Sequence, residues 1–494
     1  MDGDLNGQRT TDNPGHVVVI GGGISGLAAA HRLVRALPAI AVTLIEAEDR
    51  LGGKIVTEQI DGFVVEGGPD SFLATKPRGI GLCDEIGIGD RLQGVTAQRR
   101  RAFVLSRGTL HDLPEGLTGL VPTRLAPIAR STLLSPAGKA RLALDYVLPC
   151  RRGVGDESLG GFIRRRLGTE AWERLVEPLM AGIYAADGDQ LSLAATFPQL
   201  RDAERQHGGL IKGVIAARGS ASMVAPPPSA FLSPMGGLGE LVNRLAANLT
   251  VSGVAIHTGA AATDVMSTEG SFEVQLAGGD KIAADAVIVA TPAFAAAELL
   301  SGLTPRIAAE LAAIPHASTA IVTLAYRREE IAHPLDGHGY VIPRSEGGPI
   351  LACTWSSRKW VGRAPAGWEL VRVFIGRVGH DDILTEDDDA LLTVARREVA
   401  TRLGAHAAPT LHQVTRWPRG MPQYLLGHLE RIARVEAELG NHPGLYLAGN
   451  PYRGVGIPDC IASGERAAES AALHVHAQAM ARTPRAEQRA AVYP

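Results

Sequence analysis

The sequence predicts a mixed α/β, multidomain (α+β) chain built from a Rossmann-like dinucleotide unit, a mostly antiparallel sheet and a helical subdomain. Three observations carry this. A short β-branched run, His16-Val-Val-Val-Ile20, breaks into Gly21-Gly22-Gly23-Ile24-Ser25-Gly26 and continues to Leu37 at helical spacing. From Pro122 to Pro198 apolar residues recur near every 3.6 positions, and from Thr319 onward short β-type runs dominate. At 494 residues the chain exceeds one core, and a prior of about 150 residues per domain suggests roughly three.

In the first unit, Gly21 makes the tight turn after the strand, Gly23 lets backbone approach a phosphate, and Gly26 lets the helix pack on the strand. The helix start at Ile24 and Ser25 then presents free N–H groups and a positive dipole end, which suits a pyrophosphate. A second strand, Val42-Thr-Leu-Ile45, ends in Glu46 and Ala47, and Glu46 is placed to accept hydrogen bonds from a ribose diol. This order does not separate NAD from FAD. The next segments do: Arg50-Leu51-Gly52-Gly53-Lys54, then Glu66-Gly67-Gly68-Pro69-Asp70-Ser71-Phe72. They resemble the R-x-G-G-[KR] and G-P-D-S-F signatures of the flavin-dependent amine oxidase and porphyrinogen oxidase superfamily, in which both wrap FAD. The glycine pairs allow backbone to lie against a flat cofactor, and Lys54 brings a cation towards its phosphates or flavin edge.

Composition narrows the function classes. Hydrophobic content of 45%, charge of 20% and a net charge of −3 describe a folded globular protein with no bias towards nucleic acid. Cys83, Cys150, Cys353 and Cys460 form no C-x-x-C, so neither a cysteine zinc site nor a disulfide framework is expected, and a reducing compartment, the cytoplasm, is. Met1 to Gly15 is polar with no apolar core and does not read as a signal peptide; residues 1–13 and 481–494 are expected to be disordered tails. No run reaches the roughly 18 to 20 apolar residues that span a bilayer, so membrane contact is expected to be peripheral at most.

Along the rest of the chain, Pro77 to Leu92 reads as a short helix, and Ala102 to Leu105 with Gly108 to Pro114 as a hairpin. The Arg99-Arg100-Arg101 triplet reads as a solvated turn, with Arg101 a candidate for gripping a carboxylate. Helices are expected over Pro136 to Leu148, Ser158 to Leu167 and Glu170 to Met180. Arg164-Arg165-Arg166 reads as a solvated helix face rather than a partner or lipid-headgroup site. The helix ending in small residues at Gly182 can bring backbone close to a large planar ligand, and the Pro226 to Pro228 run reads as a linker. Thr319 to Ala325, Pro349 to Thr354 and Glu369 to Gly376 read as sheet strands, and Asp387 to Leu403 as an amphipathic helix. Trp417 is either core filler or an aromatic beside the cofactor. Finally, Gly444-Leu-Tyr-Leu-Ala-Gly449-Asn450 and Gly454-Val455-Gly456-Ile457-Pro458-Asp459 form a strand and glycine turn leading into a helix from Cys460 to Gln478, with Asp459 as N-cap. That helix N-terminus would face the flavin's pyrimidine edge, where negative charge accumulates on reduction.

Several of these stretches resemble the soluble bacterial protoporphyrinogen/coproporphyrinogen oxidases: Gly68 to Phe72, Glu177-Pro-Leu-Met-Ala-Gly-Ile-Tyr-Ala-Ala-Asp187, Leu191-Ser192 with Phe197-Pro198, Met421-Pro-Gln-Tyr424, and Gly454 to Cys460. The resemblance implies a discontinuous FAD domain (14–78, 234–305 and 440–480), a substrate domain (79–108, 206–233 and 306–439) and a helical subdomain (109–205). It implies six-electron oxidation of a porphyrinogen by O2 through FAD, with hydride passing to the flavin and no dedicated acid or base. No Ser-His-Asp set or metal-spaced histidine cluster stands in the sequence to argue otherwise. The macrocycle is expected between the Gly182 backbone and Phe374. Ala262 stands where the superfamily places a valine that meets FAD through its backbone, and Trp417, Gly449, Val455, Gly456 and Ile457 are expected around the cofactor. Coproporphyrinogen III is favoured over protoporphyrinogen IX, with transient contact to a ferrochelatase. An amine oxidase or desaturase-like enzyme and a non-catalytic flavoprotein are the rival readings.

Overall fold

The structure, a computed structural model, describes residues 15–96, 101–118, 120–151, 153, 155–220, 229–268 and 270–482. The tail expected at 1–13, residues 483–494 of the one expected at 481–494, Arg99, Arg100 and the Pro226 to Pro228 linker lie outside the described residues, while Ala481 and Arg482 end the last helix. The mixed architecture expected from the sequence is present, with a parallel sheet, a mostly antiparallel sheet and a helical layer.

The parallel sheet has five strands, in the order Ala255–His257, Ala41–Ile45, His16–Ile20, Ala286–Val289 and Leu445–Leu447. Its strands read as continuous apolar runs because both faces are covered. Val17, Val19, Val42, Leu44 and Ile288 pack under the helices Ile24–Ala36, Gly239–Val251 and Ile457–Arg482. Val18, Ile20, Ile45, Val287 and Val289 face a second layer, made of the antiparallel strands Ala262–Thr268, Ser271–Leu276 and Lys281–Ala284 and the helices Ala293–Leu299 and Pro305–Ala312. The first and last helices touch backbone to backbone, since a Cβ on Gly464 would lie 2.0 Å from the Ser25 carbonyl oxygen.

The second sheet has seven strands, in the order Leu411–Pro422, His316–Arg327, Trp368–Ile375, Ile350–Trp355, Gly339–Val341, Phe103–Ser106 and Thr109–Asp112. Every pair is antiparallel except Gly339–Val341 with Phe103–Ser106. Strand alternation gives the sheet two faces. Val371, Val373 and Ile375 pack under the helix Asp388–Leu403, whose start is fixed by the Asp387 side chain accepting from Ala390 N. Phe374 points the other way, towards Ala181 and Ala185.

The helical layer departs from expectation in three places. Glu170 to Met180 is not one helix: a π-turn over Trp172–Val176 separates Thr169–Ala171 from Glu177–Tyr184. Pro178 has no N–H to give to the carbonyl four residues back, and the helix widens just before it. The Arg164 to Arg166 run is not a solvated face. Arg166 is fully buried, with Nε donating to Asp145 Oδ1 at 2.6 Å and Nη1 3.3 Å from Glu204 Oε1, and Arg165 is paired with Glu157 and Glu204. Arg166 falls on the same helix side as Leu159, Phe162 and Ile163, all buried. Thirdly, packing divides the chain differently from the expected boundaries at 78/79, 108/109 and 205/206. Leu82, Cys83, Ile86 and Ile88 belong to the first core, Thr109–Asp112 extends the seven-stranded sheet, and Leu210 and Ile211 join the helical core. Among the described residues no helix is long and apolar enough to cross a membrane.

Candidate active site

The strand-to-helix turn at Gly21 to Gly26 is closed by its own backbone. Gly21 takes φ +110° and donates to Ile45 O at 2.7 Å, and a Cβ on Gly26 would sit 1.8 Å from the Gly21 carbonyl oxygen. The helix opens on Gly23 with no side-chain cap, and a Cβ there would meet only Gly53 Cα, at 4.0 Å. The first-turn N–H groups, at Ile24 and Ser25, therefore face an open cradle. Beside it the Thr291 hydroxyl is buried without a partner among the described residues, in the turn that backs Gly21. Glu46 holds its place at the strand end by accepting from Gly22 N (2.6 Å) and Glu48 N (2.9 Å), with Ala47 exposed beside it. Ala260 N donates to Glu46 O at 2.9 Å, which brings the strand starting at Ala262 to the same corner. An open helix start, an unpartnered buried hydroxyl and a fixed carboxylate fit the pyrophosphate and ribose of a dinucleotide.

The two later glycine segments are laid over this turn. Gly52 N donates to Gly22 O at 2.8 Å, and Gly53 lies against Gly23. A Cβ on Gly68 would come within 1.9 Å of Lys54 O, so the two segments cross backbone on backbone. Burial pushes the Lys54 ammonium pKa down. The seven-stranded sheet fixes the second loop: Trp417 Nε1 donates to Gly67 O at 2.8 Å, and the Arg372 guanidinium donates to Gly68 O. Trp417 is thus against this loop and only half-buried. Asp70 is placed differently from expectation. Its oxygens accept from Ser71 Oγ (2.7 Å), Lys359 Nζ (3.0 Å) and Trp360 Nε1 (3.1 Å), so it ties the loop at Pro69 to Ser71 to the end of the short helix Ser356–Lys359. Burial alone would raise its pKa, but the Lys359 and Arg372 cations hold it well below the usual carboxylate range.

The last helix begins at Ile457, three residues earlier than expected, because Pro458 is tolerated in the first helical turn, where its missing N–H is not needed. Asp459 is therefore inside that turn rather than at the cap. It accepts from Gly456 N at 3.3 Å and from Lys76 Nζ at 2.7 Å. Val455 and Gly456 are half-exposed at the helix start, and Gly449 N donates to Ser463 Oγ at 3.0 Å. The Tyr424 hydroxyl holds the incoming loop, donating to Asn450 O and accepting from Gly454 N at 2.8 Å. The Tyr424 ring stacks on His428 at 4.1 Å, and His428 Nε2 lies 2.9 Å from Tyr452 O. Gln423 Nε2 donates to Tyr184 O at 2.9 Å, which joins this segment to the end of the Gly182 helix.

Burial pushes the His428 pKa down to about 4. Its folded value is below its unfolded one, so the unfolded chain binds the extra proton. The stability contribution is complete above about pH 6.5 and is lost as pH falls towards 4, by up to about 3 kcal/mol. His31, His316, His333 and His474 are shifted in the same direction by burial and add to the slope. Urea unfolding at pH 7.5, 5.5 and 4.5 is expected to show the loss, and His428→Gln to flatten it. Equal slopes in the two proteins would remove His428 from this role.

The helix Glu177–Tyr184 packs on the sheet through small side chains: Ala181, Ala185 and Leu351 form a buried cluster, with Ala317 and Phe374 packed against it. Gly182 is exposed, and a Cβ built on it would touch nothing within 4 Å. Gly182, next to Ala181 in the chain, is thus placed near Phe374. Arg101 is not: it lies towards the opposite edge of the sheet from Trp417, half-exposed and paired with both Asp112 and Asp336. The sequence reading missed Lys359, Trp360 and Arg372, which hold the Asp70 loop from nearly 300 residues away.

Residues 24–472 match the family of flavin containing amine oxidoreductases. The chain is 37% identical over 479 residues to the coproporphyrinogen III oxidase of Bacillus subtilis, covering 94% of this chain and 99% of that protein. It is 37% identical to that of Propionibacterium freudenreichii, covering 97% and 95%. A crystal structure from Exiguobacterium sp. 255-15, assigned to a protoporphyrinogen oxidase, superposes with a TM-score of 0.83 at 35% identity, over 93% of this chain and 99% of that one. With its glycine turn and crossed loops in place, the chain belongs to the flavin containing amine oxidoreductase family and is a flavin-dependent oxidoreductase.

Proposed function

We propose that this enzyme oxidises coproporphyrinogen III to coproporphyrin III, with FAD as its flavin and three O2 reduced to three H2O2 per macrocycle. The observation that carries the reading is the meeting of the Glu177–Tyr184 helix, through Ala181 and Ala185, with the sheet at Phe374, beside the exposed backbone of Gly182. The relatives named above act on this class of substrate by name. FAD, when bound, supplies the two-electron acceptor that O2 re-oxidises. The protein's own share is binding and orientation. The Gly23 to Gly26 cradle takes the pyrophosphate, Glu46 the ribose, and the Ile457 helix start faces the flavin ring with its positive end. Phe374 and the Gly182 backbone hold the macrocycle by its faces, which fixes the reacting bridge carbon without any charged group in contact with it. The protein is proposed to act in the cytoplasm and to hand its product to a ferrochelatase through transient contact.

The test is aerobic turnover of the purified yellow protein with coproporphyrinogen III and, separately, protoporphyrinogen IX, followed by porphyrin fluorescence and peroxide. Faster coproporphyrin formation with about three peroxides per porphyrin is the expected result, from the six electrons removed two at a time. Preference for protoporphyrinogen IX would change the substrate, and no porphyrin from either would overturn the reading in favour of amines or polyenes.

A further inference from the structure

We propose that Arg372 is a positioning residue that sets the spacing between the flavin-holding loop and the substrate-facing ring of Phe374; this rests on the porphyrinogen reading above. Arg372 lies on the strand Trp368–Ile375 and is 1% exposed. One end of its guanidinium donates to Gly68 O, and Nη1 is 3.7 Å from Asp70 Oδ2. The same guanidinium lies 5.0 Å from the Phe374 ring centroid, while its Nε has no partner among the described residues. Holding the loop does not by itself call for a buried cation here. Trp417 already takes the Gly67 carbonyl, and Lys359 and Trp360 already take Asp70. Burying a guanidinium with an unsatisfied nitrogen is costly. What Arg372 adds is one rigid planar group in contact with the loop on one side and with Phe374 on the other. A lysine keeps the charge but has neither the fork nor the flat face.

Because Gly68 lies against Lys54, next to the Gly53 that packs on Gly23, and Phe374 packs against the Ala181 helix, the guanidinium fixes how far a macrocycle held at Phe374 sits from the flavin. A small misplacement of reacting groups slows a transfer far more than it weakens binding.

The experiment compares wild type, Arg372→Lys and Phe374→Leu, each saturated with FAD. Visible circular dichroism of the bound flavin reports its setting, and stopped flow gives anaerobic reduction by coproporphyrinogen III and by dithionite. Both variants are expected to bind FAD and to be reduced by dithionite at the wild-type rate. Reduction by the porphyrinogen should fall about ten-fold or more, with KM changed by less than about three-fold. Arg372→Lys should also alter the flavin dichroism, and the double variant should be no slower than the worse single one. Reduction within two-fold of wild type in Phe374→Leu, or multiplicative effects in the double variant, would overturn the proposal. So would a change in Arg372→Lys confined to FAD affinity or melting temperature. If Arg372→Lys does not fold, Arg372→Gln is read in its place by the same dichroism and reduction rates. Wild type that dithionite reduces and porphyrinogen does not would overturn the substrate reading, and this inference with it.

Discussion

Gly26→Ala is expected to give a protein without flavin. The added methyl would stand 1.8 Å from the Gly21 carbonyl oxygen and 3.4 Å from Val19 Cγ1, so helix and strand must separate. Neither neighbour is a flexible side-chain end that can swing away. Overpacking of this kind costs typically 1–3 kcal/mol, so about 2 kcal/mol of stability should go with it. The larger effect is on binding. The N–H groups that meet the pyrophosphate belong to the first turn of the displaced helix, and they are useful only in register with one another. Flavin absorbance per protein after purification in excess FAD should fall at least about ten-fold, the equivalent of roughly 1.4 kcal/mol in binding. A variant that keeps its yellow colour and turns over within two-fold of wild type would show that the contact between Gly26 and Gly21 does not set the cradle.

The second large effect is expected far from the flavin. Arg166→Met leaves Asp145 buried without its cation, while Glu204 keeps Arg165. Breaking one partner out of such a group costs about 3–5 kcal/mol, because the remaining charge has no water to return to. Asp145 retains the N–H groups of Leu210 and Ile211, at 3.2 and 2.8 Å, which temper the loss but do not cancel it. Urea unfolding should show the drop. Adding Asp145→Asn to Arg166→Met should recover part of it, since the amide still accepts one of those N–H groups and carries no charge. A single variant that loses less than about 1 kcal/mol would mean that water reaches the site.

These two sites were legible to very different degrees in the sequence. The glycine turn is local: strand, turn, helix and acid lie within thirty-one residues, from His16 to Glu46, and each glycine has one steric reason to be there. The arginine run was misread because its partners are distant. Asp145 and Glu204 are 21 and 38 residues away, and no spacing rule connects them to Arg166. A signal was nonetheless present. Leu159, Phe162, Ile163 and Arg166 fall on one helical stripe, and a cation in that register must either leave the core or find anions within it. Asp70 repeats the lesson. Its neighbours Gly67 and Gly68 mark a close-packed loop, while the groups that decide what its carboxylate does are distant: Arg372 comes from the sheet, and Lys359 and Trp360 from the end of the short helix Ser356–Lys359. The division into sheets and helices was legible from periodicity. The seams were not, because Leu82 and Leu210 could each bury against either neighbour, and only tertiary packing chooses.

The wide separation of the parallel strands has a consequence for how the protein is made. The helix Ile24–Ala36 leaves the ribosome more than four hundred residues before its partner Ile457–Arg482. At 5–20 residues per second the interval is roughly 20 to 90 s. Throughout it Leu27, Ala28 and Leu33 lack the cover that the later helix gives, so the nascent chain carries an incompletely covered apolar helix face. A dinucleotide site built on both helices is complete only once the second has been made. A nonsense codon just before Ile457 would therefore disarm a glycine turn laid down more than four hundred residues earlier.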